Sequence, residues 1–183
     1  MPIDFFTQGQ KGTSEKELLG ICDDTIERNK KPAYIDESNQ NKWIAEVHNR
    51  NKKSIDFYAI DCCITWYLEN GDFANACDGM LAYNENQNII FVELKNRNPE
   101  NKQWRIKAEK QLKSTIECFQ NNHDTDGVLI KAYVCNKQAL FDEGVEEYLE
   151  KFKDDTGVTL RVFREIEIQW MNNSNKPCPN TPM

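Results

Sequence analysis

Two apolar segments joined by a short polar turn limit most strongly how this chain can fold. Residues 77–83 (CDGMLAY) and 89–95 (IIFVELK) are rich in strand-forming side chains, and residues 84–88 (NENQN) are typical of a turn. The run Ile89-Ile90-Phe91-Val92 is apolar at every position, whereas a half-exposed strand alternates between apolar and polar residues. We therefore expect a hairpin at the centre of a sheet that is covered on both faces.

The segments around this hairpin predict an α/β fold, a central mixed sheet flanked by helices. Periodicity leaves helix and strand open for residues 55–68, and we favour a strand because Ile, Phe, Tyr and Thr are frequent there. We expect one domain over residues 1–170 and a disordered tail over residues 171–183. The other predicted elements are a helix from a capping box at Ser14 and Glu17 to Lys30, a short helix through Trp43, Ile44 and Val47, a turn over 69–72, a helix from about Pro99 to Gln120, a strand over 128–135, a helix through Leu140, Val145 and Phe152, and a strand over 158–168.

Composition excludes several classes of protein. No apolar run approaches the ~18 residues that a membrane span needs, and no glycine-rich nucleotide-binding loop is present. The seven cysteines include no C-x-x-C pair, and only two histidines occur, so a structural zinc site is not expected. Without an export signal, we expect a reducing cytoplasm as the location. The net charge of −7 argues against nonspecific coating of nucleic acid.

Three charged residues interrupt the apolar hairpin. Asp78 stands at the start of one arm, and Glu93 and Lys95 stand at the end of the other. Alternation along a strand puts Glu93 and Lys95 on one face. Counted back from the turn, Asp78 and Glu93 fall at about the same height. The pairing therefore predicts two carboxylates and one ammonium group within a few ångströms of each other.

Such a group of charges inside a sheet is costly unless a ligand uses it. Two adjacent carboxylates repel each other, and a hard divalent cation relieves the repulsion. We therefore predict a Mg²⁺ or Mn²⁺ site at Asp78 and Glu93, with the Leu94 main-chain oxygen as a further ligand. Lys95 would stand beside an attacking water and stabilise charge on a phosphate.

The pattern of Asp78 followed fifteen residues later by Glu93-Leu94-Lys95 resembles the PD-(D/E)XK nuclease superfamily. The resemblance covers about residues 43–135 and implies a restriction-endonuclease-like αβββαβ core. It also implies that Asp78 and Glu93 bind Mg²⁺ or Mn²⁺ and that Lys95 assists the attacking water. Many members carry a polar residue on the following helix, for which Gln111 is the candidate, and a glutamate from the first helix, for which Glu46 is the first candidate and Glu27 the second.

Basic residues are concentrated directly after the predicted site. Between residues 95 and 113 the chain has seven basic and two acidic residues, although its net charge is −7. A phosphate backbone would be attracted to such a local patch. Besides Lys95, the basic residues are Arg97, Lys102, Arg105, Lys107, Lys110 and Lys113.

These features together predict a metal-dependent nuclease that hydrolyses phosphodiester bonds, with DNA favoured as the substrate. Two alternatives stay open: a non-catalytic nucleic-acid- or protein-binding module of the same fold, and an acidic inhibitor or immunity-type protein. The sequence also leaves open a homodimer or a partner protein, and it predicts neither membrane association nor a nucleotide cofactor.

Overall fold

The computed structural model of the chain describes residues 2–24, 30–98, 103–138 and 146–170. Within these ranges the chain forms an α/β fold with two sheets. The strands are β1 (Gln10–Ser14), β2 (Leu18–Cys22), β3 (Tyr34–Asp36), β4 (Ala45–His48), β5 (Ile55–Ala59), β6 (Gly79–Tyr83), β7 (Asn88–Lys95), β8 (Leu129–Asn136), β9 (Thr159–Val162) and β10 (Glu165–Glu167), and the helices are α1 (Phe5–Gln8), α2 (Gln103–Asn122) and α3 (Glu146–Thr156), with a 3₁₀ turn over Gln40–Lys42.

A six-stranded mixed sheet forms the centre of the fold. Its strand order is β1-β5-β6-β7-β8-β9. The pairings from β1 to β7 in this order are all antiparallel, and β8 and β9 then continue the sheet in parallel with β7. The parallel pairing of β7 and β8 follows from α2, which connects them as a crossover helix. The predicted central mixed sheet with flanking helices is thereby confirmed.

A second sheet of four strands, in the order β10-β4-β2-β3, covers one face of the central sheet. Its buried side chains, such as Leu19 and Val47, share one apolar cluster with Ile90 and Val92 of β7. The opposite face of β7 presents Ile89 and Phe91 to a second apolar cluster, which includes α2 and α3. β7 is therefore apolar at successive positions because both of its faces are buried.

Two predicted helices near the N-terminus are strands instead. The segment after Ser14 forms β2, which is buried on both faces. Its apolar residues therefore do not alternate with polar ones, and their spacing also fits a helix. The segment around Val47 forms β4, where burial alternates from residue to residue. Ser14 does not cap a helix, and its hydroxyl donates a hydrogen bond to Glu37 at 2.6 Å. The first helix of the αβββαβ core is thus absent at the predicted position.

The predictions of the hairpin and of the helix after it are correct. The hairpin of β6 and β7 has its turn at residues 84–87, and α2 buries the predicted apolar stripe. The strand predicted over residues 55–68 forms only at residues 55–59, because residues 61–63 form a turn in which Cys62 has a φ of 67°. The last predicted strand is two strands, β9 and β10, which belong to different sheets. Pro99, Leu140, Val145 and the predicted tail over 171–183 lie outside the described residues.

None of the helices in the described ranges combines the length and the apolar character that crossing a bilayer requires.

Candidate functional site

Asp78 and Glu93 meet at the end of the central hairpin, as their spacing predicts. Gly79 pairs with Val92, so the next step of the antiparallel register puts Asp78 opposite Glu93. Glu93 lies on the same face as Phe91, the face that α2 covers. The Leu94 main-chain N–H donates a hydrogen bond to Asp78 Oδ2 at 2.5 Å. This bond fixes the aspartate against the strand that carries the glutamate.

Lys95 and Gln111 complete the group. The Lys95 ammonium forms an ion pair with Glu93 Oε1, and only 15% of the lysine side chain is exposed. Lys95 also donates a hydrogen bond to Gln111 Oε1 at 3.3 Å. The glutamine therefore faces the charged residues from α2, and the lysine is held between two oxygen acceptors.

Helix α2 also holds the segment that leads into Asp78. Gln111 Nε2 donates a hydrogen bond to the Ala76 carbonyl at 2.8 Å. One turn further along the helix, the buried Thr115 hydroxyl accepts a hydrogen bond from the Cys77 N–H at 2.8 Å. These contacts join helix and strand directly beside the carboxylates.

Burial makes the charged state of both carboxyl groups unfavourable. It raises the pKa of Asp78 to about 7, against the opposing effects of Lys95 and the Leu94 N–H. Burial and the neighbouring Asp78 raise the pKa of Glu93 well above its ordinary value, although Lys95 lowers it. A single ammonium group therefore does not fully compensate the two carboxylates.

The oxygen atoms at this position fit a divalent cation. Glu93 is fully buried, and its Oε2 atom has no hydrogen-bond partner among the described residues. A buried carboxylate oxygen without a partner is costly, and a cation would satisfy it. Mg²⁺ and Mn²⁺ prefer oxygen donors, and Mg²⁺ commonly uses one or two carboxylates and keeps several waters. Asp78 and Glu93 supply such a pair of ligands.

The charged group lies on the wall of a cavity with a volume of about 850 Å³. Leu94, the predicted main-chain ligand, lines the same cavity. So do two further acidic residues, Asp23 and Asp61. Asp23 could not be predicted as a site residue, because it follows β2, which belongs to the other sheet. Asp61 lies within the apolar run of residues 55–68, and that interruption was the available signal.

The predicted nucleic-acid-binding residues occupy different environments. Arg97 and Lys107 are exposed and line the cavity, whereas Lys110 is exposed on α2 outside the cavity wall. Arg105 is buried, with its guanidinium over the Trp104 ring at 5.2 Å. Lys113 pairs with Glu109 and with Asp155 at 2.6 Å, which ties α2 to α3. Lys102 lies outside the described residues.

Glu46, predicted as an extra acid, is not beside Asp78 and Glu93. It lies on β4 of the four-stranded sheet, where alternation turns it away from the apolar cluster that buries Ala45. There it pairs with Arg164 at 2.7 Å. Its carboxylate, the His48 imidazole and the Glu165 carboxylate have ligand atoms within 4.8 Å of one another. Glu27, the second candidate, falls outside the described residues.

Neither family models, nor curated proteins, nor solved structures give a match to this chain.

Proposed function

We propose that this chain is a divalent-metal-dependent nuclease that hydrolyses phosphodiester bonds, with DNA favoured over RNA. The observation that carries the proposal is the fully buried Glu93, whose second carboxylate oxygen has no hydrogen-bond partner within the part of the chain that the structure describes, while its first pairs with Lys95. If the ion pair of Glu93 and Lys95 had only a structural role, the adjacent Asp78 would be unfavourable, because its carboxylate repels that of Glu93. The resemblance to PD-(D/E)XK nucleases stays a prediction from the residues alone.

Asp78 and Glu93 would hold the cation, which is Mg²⁺ or Mn²⁺. When bound, the cation would neutralise the two carboxylates and polarise a phosphate oxygen. The hydrogen bond from the Leu94 N–H would keep the Asp78 carboxylate in place for this role.

Lys95 would act on the phosphate and on the attacking water. Its ammonium group carries donors that can reach a non-bridging phosphate oxygen and stabilise the negative charge that develops there. Gln111 would orient this ammonium, because its Oε1 accepts a hydrogen bond from Lys95 while its Nε2 is fixed to the Ala76 carbonyl. Arg97 and Lys107, both on the cavity wall, would attract the phosphate backbone.

The experiment is a cleavage assay with plasmid, linear, single-stranded and branched DNA and structured RNA, in Mg²⁺, Mn²⁺ or EDTA. We expect cutting that requires the metal. Lys95→Met and Glu93→Gln should each lower the rate by about 100-fold or more, because each removes charge that acts in the transition state. Lys151→Met, which removes an exposed lysine of α3 outside the cavity wall, is the matched control and should keep full activity.

Metal binding provides a second readout. Calorimetry with Mn²⁺ should detect binding to the wild-type protein that Asp78→Asn and Glu93→Gln abolish and that Lys95→Met retains. The proposal is wrong if the protein cuts equally well in EDTA. It is also wrong if the wild type cuts none of these substrates in Mg²⁺ or Mn²⁺, whether or not it binds Mn²⁺.

A further inference from the structure

Two neighbouring aromatic rings are exposed, and one of them lies on the cavity wall. The side chains of Tyr67 and Phe73 are 64% and 63% exposed, and Phe73 lines the cavity that contains Glu93 and Lys95. The two ring centroids lie 4.5 Å apart with an angle of 34° between the planes. Large apolar rings are usually buried, so an exposed pair beside a charged site requires a reason.

The loop that carries the rings has a defined structure. Tyr67 and Phe73 form an isolated antiparallel bridge. The Leu68 N–H donates to the Asp72 carbonyl at 2.9 Å, and the Ala74 N–H donates to the Trp66 carbonyl at 3.0 Å. Trp66 is itself buried and joins the apolar cluster under α2. The backbone hydrogen bonds of a small hairpin therefore fix the positions of the two rings.

The charges around the cavity favour a polyanion as its occupant. Four acidic and four basic residues line it, and a divalent cation at Asp78 and Glu93 would make the balance positive. Apart from Lys95, the basic residues are Lys30, Arg97 and Lys107. The acidic residues of the hairpin turn, Glu69 and Asp72, do not line the cavity. Flat aromatic faces next to cations fit a nucleic-acid strand, since stacking and phosphate contacts are the usual means of binding one.

We infer that Tyr67 and Phe73 stack against an unpaired base next to the scissile phosphate, so that the substrate is a single-stranded nucleic acid. The inference rests on the proposed nuclease function and adds its substrate class. In a duplex, neighbouring base pairs cover both faces of each base, and an aromatic side chain has no free face to stack on. An unpaired base offers such a face whatever its identity, so the contact would not depend on sequence.

The test compares the binding of a short fluorescein-labelled oligothymidylate and of a blunt duplex by fluorescence anisotropy in Ca²⁺, a hard cation that also takes carboxylate oxygens as ligands. Gel analysis after each titration checks that the oligonucleotides stay intact. Phe73→Leu keeps an apolar side chain but removes the ring, and it should weaken single-strand binding by about tenfold. Phe73→Trp restores a ring and should bind like the wild type. Leu129→Ala is the control, because Leu129 is exposed but lies at the opposite end of β8 from Asn136, the partner of Lys95.

The outcomes separate this inference from the proposed function. Phe73→Leu with wild-type affinity for the oligothymidylate overturns the inference, and so does an equal loss of affinity for the duplex. A wild type that cuts duplex but not single strands in Mn²⁺ also overturns the inference and leaves the nuclease proposal intact. Single-strand binding that depends on Phe73, without any cutting in Mg²⁺ or Mn²⁺, supports the stacking surface and overturns the nuclease.

Discussion

At the scale of single residues, the pair of Glu93 and Lys95 has consequences for stability as well as for the proposed catalysis. Lys95→Ala would leave a buried carboxylate without its cation, which costs about 3 kcal/mol. The pKa of Glu93 is already raised, so its charged form destabilises the fold as pH rises. Without Lys95 the charged form of Glu93 destabilises the fold more. We therefore expect the stability difference from wild type, measured by urea unfolding in EDTA, to be larger at pH 8 than at pH 5.

Lys151→Ala provides the comparison for Lys95→Ala. Lys151 also forms an ion pair, with Asp155 at 3.4 Å, but the two side chains are 69% and 41% exposed. Exposed pairs contribute only about 0–1 kcal/mol, so this variant should unfold almost like the wild type. Equal losses in the two variants would contradict the argument from burial.

His123 predicts a second dependence on pH with the opposite sign. Its Nε2 accepts a hydrogen bond from the Phe5 N–H at 3.3 Å, and its ring stacks on Phe119 with centroids 4.5 Å apart. Burial lowers the pKa of His123 in the folded protein. The folded state therefore binds this proton less well than the unfolded state, and stability is lost as pH falls below about 6.5.

The substitution His123→Gln tests this explanation, because it removes the titrating group. Urea midpoints measured between about pH 7 and pH 5 should fall less steeply for the variant than for the wild type. The same slope in both proteins would show that another group is responsible.

At the scale of secondary-structure elements, Thr115 connects α2 to the start of β6. Its hydroxyl accepts a hydrogen bond from the Cys77 N–H and donates one to the Gln111 carbonyl, both at 2.8 Å. Thr115→Val keeps the shape but leaves the buried N–H without a partner, at a cost of about 1–3 kcal/mol. Thr115→Ser keeps the hydroxyl and should lose less. Thermal unfolding should give a lower melting temperature for Thr115→Val than for Thr115→Ser, and the reverse order would contradict this role of the hydroxyl.

Gly20 on β2 allows Trp43 to approach the four-stranded sheet. A Cβ atom on Gly20 would lie 1.9 Å from Trp43 Cγ. Gly20→Ala should therefore destabilise the protein by about 1–3 kcal/mol through overpacking. The same substitution in a Trp43→Leu background should cost less in chemical unfolding, because the ring is gone. An equal cost in both backgrounds would show that the conflict lies elsewhere.

The central hairpin and α2 on one side, and β2 on the other, show which elements the sequence could and could not predict. The hairpin and α2 have local signals, since a polar turn separates two apolar runs and one apolar stripe follows a helical period. β2 has no such signal. Leu19 and Ile21 point into the apolar cluster between the sheets, while Gly20 on the other face is covered by Trp43. Burial on both faces removes the alternation that identifies a strand.

At the scale of the whole molecule, the same distinction separates the parts of the site. Asp78, Glu93 and Lys95 could be predicted because one hairpin carries all three. Gln111 could be predicted because α2 follows directly and has a clear apolar face. Asp23 reaches the cavity only because a second sheet packs on the first, and no local pattern encodes that packing. Glu46 was wrongly predicted to join Asp78 and Glu93, because no local pattern shows that it belongs to that second sheet.

The charge of the whole molecule limits how it can hold a nucleic acid. With a net charge of −7, the proposed binding would depend on the few cations of the cavity, which besides Lys95 are Lys30, Arg97 and Lys107. Three phosphate contacts predict that log Kobs for single-stranded DNA falls with log[salt] with a slope of about −2. Lys107→Ala should reduce that slope by about 0.7, as anisotropy titrations at several salt concentrations would measure. A slope of about −4 or steeper would contradict a cavity-limited contact, because it requires additional cations such as Lys110.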